Sequence, residues 1–267
     1  MRKVVVVTGS TRGIGLGMVR SFARAGCSVV VNGRSQRAVE AALAQLRNDG
    51  QADALGVAAD ISSRADAQRL WDESVARFGR VDVWINNAGL ITRRSPFHEL
   101  PFEEIRAVVD VNLVGTLACC HVALRGMAAQ GGGQIYNFEG FGSDGMIRPG
   151  LTTYGTTKRA LRHFTRSLER EYAAGSVKIG TISPGIVATD MLETETGALS
   201  AEARRRARRI YNILGDRVET VAPWLARRVL ENDRHGARIA WLTPAKAAGR
   251  FLTARFRPRQ VFDEPAT

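Results

Sequence analysis

A chain of 267 residues, 45% hydrophobic and 24% charged, can bury a full α/β core and has an ordinary globular make-up. Its net charge of +12 is carried almost wholly by dispersed arginine, clustered locally at Arg204–Arg209 and Arg255–Arg259, and no nucleic-acid reading module accompanies it. What that charge leaves open is attraction to an acidic substrate or contact with an anionic membrane surface. Apolar runs fall short of the roughly 18–20 residues that span a bilayer. The apolar start is too short for a signal peptide, and Cys27, Cys119 and Cys120 lack ligand spacing. A cytoplasmic protein with reduced thiols and no metal site is expected.

Val4–Val7, four consecutive valines, has the pattern of a strand buried on both faces, as in a parallel sheet. The turn Thr8–Gly15, TGSTRGIG, follows, then a helix to Ala25 that Gly26 stops. Ser28–Asn32 reads as a second strand and Ser35–Asn48 as a helix opening at a serine cap. Ala54–Ala58 is a third strand and Ser63–Phe78 a helix ending at Gly79. Val81–Ile85 is a fourth strand leading into Asn86–Gly89, NNAG. One long helix is expected over Phe102–Gln130, a fifth strand over Gln134–Phe138, a helix around Tyr154, and a sixth strand over Val177–Ile182. Beyond Pro184, Ser200–Leu214 reads as a basic helix. Asp216 and Glu219 have capping-box spacing for another helix, which Pro223 should kink or delay. Ala237–Leu242 suits a short strand and Ala245–Phe256 a last helix. Strict alternation with short connections points to one Rossmann-type, doubly wound parallel sheet of about seven strands with helices on both faces. Residues 1–267 are read as a single domain, with 186–267 forming a substrate-side lid and C-terminal extension.

Chemistry is concentrated in three stretches. In the first turn Gly9 permits the tight bend, Gly13 a close approach to a pyrophosphate, and Gly15 helix–strand packing. With Ser10, Arg12 and Ile14 they open a helix whose N–H groups suit phosphates. At the end of the second strand, where an acid would select NAD, stand Arg34 and Ser35. Two guanidiniums, Arg12 and Arg34, favour a 2′-phosphate and so NADP(H). Tyr154 and Lys158, four residues apart on a helix, set an ammonium beside a phenol, an arrangement suited to giving and taking a proton at a carbonyl.

TGSTRGIG, Asp60, NNAG, Asn112, Tyr154-x-x-x-Lys158 and Pro184-Gly185 with Thr189 occur in that order, and together they resemble the short-chain dehydrogenase/reductase family over about residues 1–190. The resemblance implies that Asp60 and Ile61 hold the adenine, and that Asn87, Ala88 and Gly89 support the cofactor-side loop. It further implies that Val187 and Thr189 contact the nicotinamide carboxamide. Tyr154 is implied as general acid/base, Lys158 as a ribose ligand that also lowers the tyrosine pKa, and Asn112 as the anchor of a relay water. Such proteins take a small-molecule carbonyl substrate and assemble as dimers or tetramers.

One member of the set is displaced. The family's substrate-binding serine is expected at Glu139 or Gly140, and the nearest hydroxyl is Ser143, eleven residues before Tyr154. Either the loop returns Ser143 to the site or the carbonyl is held without it. Asn137–Gly145, with Tyr211-Asn212 and the closing Val261–Asp263, is similar to the chlorophyll b reductase subgroup. That similarity implies NADPH-dependent reduction of a 7-formyl group to hydroxymethyl. A different carbonyl substrate (3-ketoacyl, steroid-like or a small ketone) is the alternative, and a non-catalytic dinucleotide-binding sensor or scaffold a second. Arg93 and Arg94, following NNAG, suit a substrate carboxylate or a solvated loop. The arginines of residues 250–259, interleaved with Phe251, Leu252 and Phe256, suit a membrane surface or a cover over the cleft.

Overall fold

The four valines of β1 (Val4–Val7) are all buried, because strands pair with them on both edges and helices cover both faces. β2 (Ser28–Gly33) pairs in parallel on one side, Val4 opposite Ser28, and β4 (Val83–Asn86) on the other, Val5 opposite Val83. β3 (Ala54–Ala58), β5 (Gly133–Phe138), β6 (Val177–Ser183) and β7 (Arg238–Ala240) complete an all-parallel sheet of order β3-β2-β1-β4-β5-β6-β7. The computed structural model describes residues 2–50, 53–256 and 258–262. Arg257 and Asp263, named above for the basic cluster and the closing motif, lie outside the described residues. Because successive side chains alternate between faces, Val5 and Val7 enter one hydrophobic core and Val6 the other.

The first core lies under α1 (Gly13–Arg24), α2 (Gln36–Asn48) and a late helix over Val218–Glu231; the second lies under α3 (Arg64–Phe78) and the helices after β4. Serine caps form where the sequence places them: Ser35 accepts from the Ala38 N–H at 3.4 Å and Ser63 from Asp66 at 3.3 Å. Gly79 closes α3 with φ of 82°. The topological switch falls between β1 and β4, so the crevice for a ligand opens at the carboxyl ends of those strands.

Three expectations are corrected. The helix expected over Phe102–Gln130 is α4 (Phe102–Val109) and α5 (Thr116–Ala129), joined by a π-helical stretch, Asp110–Gly115, that holds Asn112. This span is also long and apolar enough to cross a membrane, with mean hydropathy of 1.8 in its best window, so the expectation that no such run exists fails. Its apolarity serves the second core, where Cys119, Cys120, Ala123 and Met127 are buried between α3 and the sheet. Asp216 does not cap a helix. The helix after it begins at Val218 behind Arg217 and carries Pro223 inside it rather than being delayed. Sequence reading also missed α7 (Asp190–Thr196), which precedes α8 (Ala201–Leu214, capped by Ser200). In chain order the Val218–Glu231 helix is α9, and α10 (Pro244–Thr253) follows.

Asp216 instead gathers the C-terminal segment. Its carboxylate accepts from Trp241 Nε1 at 2.6 Å, Arg250 Nη2 at 3.1 Å and Arg259 Nη2 at 2.5 Å. Its backbone bonds to Ile186 and Ala188. Two of the C-terminal arginines are therefore spent inside the protein rather than offered to a membrane.

Close helix packing gives a test. A Cβ on Gly126 of α5 would stand 2.0 Å from Cζ2 of Trp71 on α3, and that ring is itself packed on Trp84 at 6.0 Å between centroids. Alanine's helix propensity favours Gly126→Ala by about 1 kcal/mol, but overpacking against a rigid indole costs roughly 1–3 kcal/mol. Gly126→Ala should lower the urea midpoint, and an unchanged or raised midpoint would show that α3 and α5 do not close to this distance.

Candidate active site

The glycine turn is held by the two strands that flank β1. Gly9 has φ of +61° and Gly13 of +56°. A Cβ on Gly9 would lie 2.7 Å from Ala88 Cα, and one on Gly15 would lie 2.5 Å from Asn87 Nδ2 and 2.6 Å from Gly9 O. Gly13 has more room, its nearest neighbour being the Thr189 methyl at 3.4 Å. The backbone is thus bare where a pyrophosphate must approach, at the start of α1, and the residues present fit a dinucleotide.

Two side chains that sequence reading missed tie this turn down. Thr8 Oγ1 accepts from the N–H groups of Asn87 and Ala88, both at 3.1 Å. Asn32 accepts from Gly9 N–H at 3.2 Å and donates to Val57 O and Ala59 O. Their buried positions at the carboxyl ends of β1 and β2 were the available signal. Ser10, expected at the cofactor, is turned inward: it donates to Val7 O at 2.7 Å and accepts from Asn32 N–H at 3.0 Å. Ile14 packs against the first core.

The two guanidiniums assigned to a 2′-phosphate differ. Arg12 donates to Asp190 at 3.0 Å through an exposed pair of small energetic worth. Arg34 is exposed and makes no ion pair among the described residues. Ser35 Oγ is engaged in capping α2. Asp60 accepts from the Ser62 N–H and hydroxyl at 3.0 and 2.7 Å, and Ile61 fills the space beside Gly115. Across the cleft, Gly185 has φ of +73° and packs on Leu242 behind Pro184. Val187 is buried in a bridge to Asp216, and Thr189 opens α7.

Tyr154 and Lys158 sit together on α6 (Thr152–Glu171), both buried, with Lys158 Nζ 5.7 Å from the phenol ring centroid. Nζ donates to Phe138 O at 3.2 Å, at the end of β5. Asn112 is pinned: it accepts from Leu90 N–H at 2.7 Å and donates to Leu90 O and to Thr157 Oγ1. Thr157, also missed, donates a hydrogen bond from its hydroxyl to the backbone carbonyl of Tyr154 at 2.8 Å. The π-helical widening lets an asparagine within a helix reach both the NNAG loop and α6.

The serine question is answered by geometry. Glu139 points to the sheet edge, accepting two bonds from Arg238 Nε and one of 2.7 Å from its Nη2. Gly140 faces Tyr154, and a Cβ there would stand 2.4 Å from the phenol oxygen. Ser143 is buried and spends its hydroxyl on backbone: it accepts from Gly140 N–H at 3.0 Å and donates to Lys158 O at 3.3 Å. It braces the loop.

Burial raises the Tyr154 phenol above its ordinary range, with the Glu195 carboxylate adding to the shift. This is opposite in direction to the lowering expected from Lys158. Burial pushes the Lys158 ammonium down to about 8, against the opposing charge of Glu139.

At the mouth, Arg94 donates to Glu195 of α7, and Tyr211 of α8 donates to the same oxygen at 2.8 Å. Arg148 stands 3.5 Å away with its guanidinium 4.6 Å over the Phe141 ring. Arg93 instead lies exposed and bonds to Glu99 O.

A family model described as short chain dehydrogenase matches residues 3–199. Probable chlorophyll(ide) b reductase NYC1, chloroplastic, from Arabidopsis thaliana is 32% identical over 97% of this chain but only 54% of its own length. The chain thus spans about half of that relative. Chlorophyll(ide) b reductase NOL, chloroplastic, from the same plant is 34% identical over 91% of this chain and 71% of its own. Among solved structures, a gluconate 5-dehydrogenase from Burkholderia cenocepacia in complex with NADP and tartrate superposes with TM-score 0.74, at 27% identity over 90% of this chain and 93% of that one. A 3-ketoacyl-(acyl-carrier-protein) reductase from Brucella melitensis complexed with NADH gives 0.73, at 25% identity over 92% of each.

The buried ammonium predicts a pH-dependent stability. Between about pH 8 and the ordinary 10.5 the unfolded chain holds the Lys158 proton and the folded chain does not. Stability therefore rises with pH across that window, and below it the folded state carries the full desolvation cost. Lys158→Met should stabilise the protein at pH 7 by roughly 2 kcal/mol, and the gain should shrink toward pH 10. Equal gains in urea melts at both pH values would contradict a depressed lysine.

Proposed function

Because the chain belongs to the short-chain dehydrogenase family, we propose that it is an NADPH-dependent carbonyl reductase whose general acid is Tyr154. The observation that carries this reading is the burial of Tyr154 and Lys158 side by side at the end of β5, with Lys158 Nζ next to Gly89 of the loop that packs on the glycine turn. Bound NADPH supplies a hydride to the carbonyl carbon. Tyr154 Oη gives its proton to the oxygen as negative charge develops there. A phenol kept protonated by burial is the form that reduction consumes. Lys158, while charged, holds the ribose hydroxyls and stabilises the phenolate left behind. Gly140 leaves the phenol oxygen unobstructed and contributes no donor, so the carbonyl is oriented by Tyr154 without the family's serine.

Arg34, with Arg12 once released from Asp190, supports a 2′-phosphate and hence NADPH over NADH. The two plant relatives support an aldehyde on a large ring, the 7-formyl group of chlorophyll b or chlorophyllide b, as substrate. A 3-ketoacyl substrate is the second reading, supported by the 3-ketoacyl-(acyl-carrier-protein) reductase that superposes on this chain. Exposed Phe102, Val114 and Leu117 on the α4–α5 face support assembly of like copies.

Tyr154→Phe should bind NADPH as the parent does and lose at least about 10³-fold in kcat on any aldehyde or ketone the parent reduces. Retained turnover would remove Tyr154 from the mechanism. Arg34→Asp should shift the kcat/KM ratio of NADPH to NADH toward NADH by about tenfold or more. A ratio that does not move would show that Arg34 does not read the phosphate.

A further inference from the structure

Two guanidiniums and one carboxylate meet at the mouth of the cleft, and the two arginines are not equivalent. Arg94 is committed: its side chain is 17% exposed, its Nη2 bonds both Glu195 and the Tyr211 hydroxyl, and its backbone N–H donates to Glu195 O at 3.2 Å. Gly150 seats it, because a Cβ there would meet Arg94 Cγ at 2.4 Å. Arg148 is loosely paired. It is 31% exposed, stands 3.5 Å from Glu195 and 3.3 Å from Tyr211 Oη, and is held flat by the Phe141 ring. Phe141 directly follows Gly140, the residue that faces the reacting hydroxyl of Tyr154. Among the described residues one carboxylate answers two guanidiniums, so one positive charge is left over, on a guanidinium held over the ring that follows Gly140, within the reach of the Glu195 charge that Tyr154 also feels.

We propose that Arg148 binds a carboxylate carried by the substrate, while Arg94, Glu195 and Tyr211 form the scaffold that positions it. The inference rests on the reductase reading, in that the carboxylate belongs to the molecule whose carbonyl Tyr154 protonates. It moves substrate recognition from the arginine pair that follows NNAG to a residue of the loop after β5. Burial and the Glu195 charge hold Tyr211 protonated, which keeps its hydroxyl a donor to Glu195 and so fixes the carboxylate that Arg148 faces. Glu195 competes for Arg148, so it sets how strongly an entering carboxylate is drawn.

The substrates for the test are 4-carboxybenzaldehyde and methyl 4-formylbenzoate, which present the same aldehyde with and without a charge. A charge-assisted bond of this kind is worth about 10–100-fold. Arg148→Gln should lower the acid-to-ester ratio of kcat/KM at least tenfold, mainly through KM for the acid, and Arg148→Lys should restore part of it. Glu195→Gln, which keeps a hydrogen-bonding group for Tyr211 but removes the competing charge, should raise the ratio severalfold. A purely structural role for the cluster would depress both substrates together, so an unmoved ratio in Arg148→Gln overturns the proposal. A fall in the ratio in Glu195→Gln does the same. The ratio of dissociation constants for the two compounds, read by quenching of bound NADPH fluorescence in a Tyr154→Phe background, needs no turnover. If the parent reduces neither aldehyde, the reductase reading is at fault, while this binding ratio still upholds or overturns the carboxylate site.

Discussion

An ammonium buried with a backbone carbonyl as its direct partner is the constraint around which this cleft is arranged. Taking such a charge out of water costs several kcal/mol, far more than the roughly 1 kcal/mol its one hydrogen bond returns. Lys158 keeps a proton near neutral pH because Glu139 opposes that cost. Glu139 can itself be buried only because Arg238 grips it in two-pronged fashion and Arg162 stands 3.8 Å away. The positive charge beside the Tyr154 phenol is thus sustained by a line of charges running from α6 through the end of β5 to the edge strand β7. The loop that carries Glu139 must then pass beneath Tyr154 without touching its hydroxyl. Glycine at 140 and the Ser143 brace are the local answers to that demand.

A second constraint is the polar layer that divides the hydrophobic cores from the cleft. The strands β2, β4 and β5 each present a buried asparagine near the carboxyl end. Asn32 ties the glycine turn to β3. Asn86 accepts from Trp84 and donates to Asn137 at 2.8 Å, and Asn137 donates to Thr165 of α6 at 2.9 Å. Side chains so satisfied within a low-dielectric interior are fixed in direction. The loops they hold are therefore set before any ligand arrives, which is what an active constellation needs.

Much of this was legible in the chain. Doubly buried parallel strands announce themselves as apolar runs, serine caps are local, and the Tyr154–Lys158 spacing is a property of one helix. What could not be read depends on partners distant in sequence. Asp216 and Glu219 look like a capping pair locally, yet arginines 34 and 43 residues further on claim the aspartate. Ser143 looks like a displaced catalytic hydroxyl until the turn aims it at backbone. Asn112 looks like one position in a long helix until the π-helical stretch gives it two neighbours. The short α7 has its two apolar residues, Met191 and Leu192, side by side and buries only Glu195 and Thr196, so no periodicity marks it.

The knot at Asp216 also bears on how the protein is made. Its backbone fastens Ile186 and Ala188 just past Gly185, and its carboxylate is neutralised by Arg250 and Arg259. Synthesis delivers the glycine turn first and those arginines more than two hundred residues later. A nascent chain can therefore build its sheet and phosphate cradle in order of emergence, while Asp216 waits as an unneutralised buried acid. The two walls of one crevice are completed at opposite ends of translation, and the wall that Asp216 fastens is the last to set.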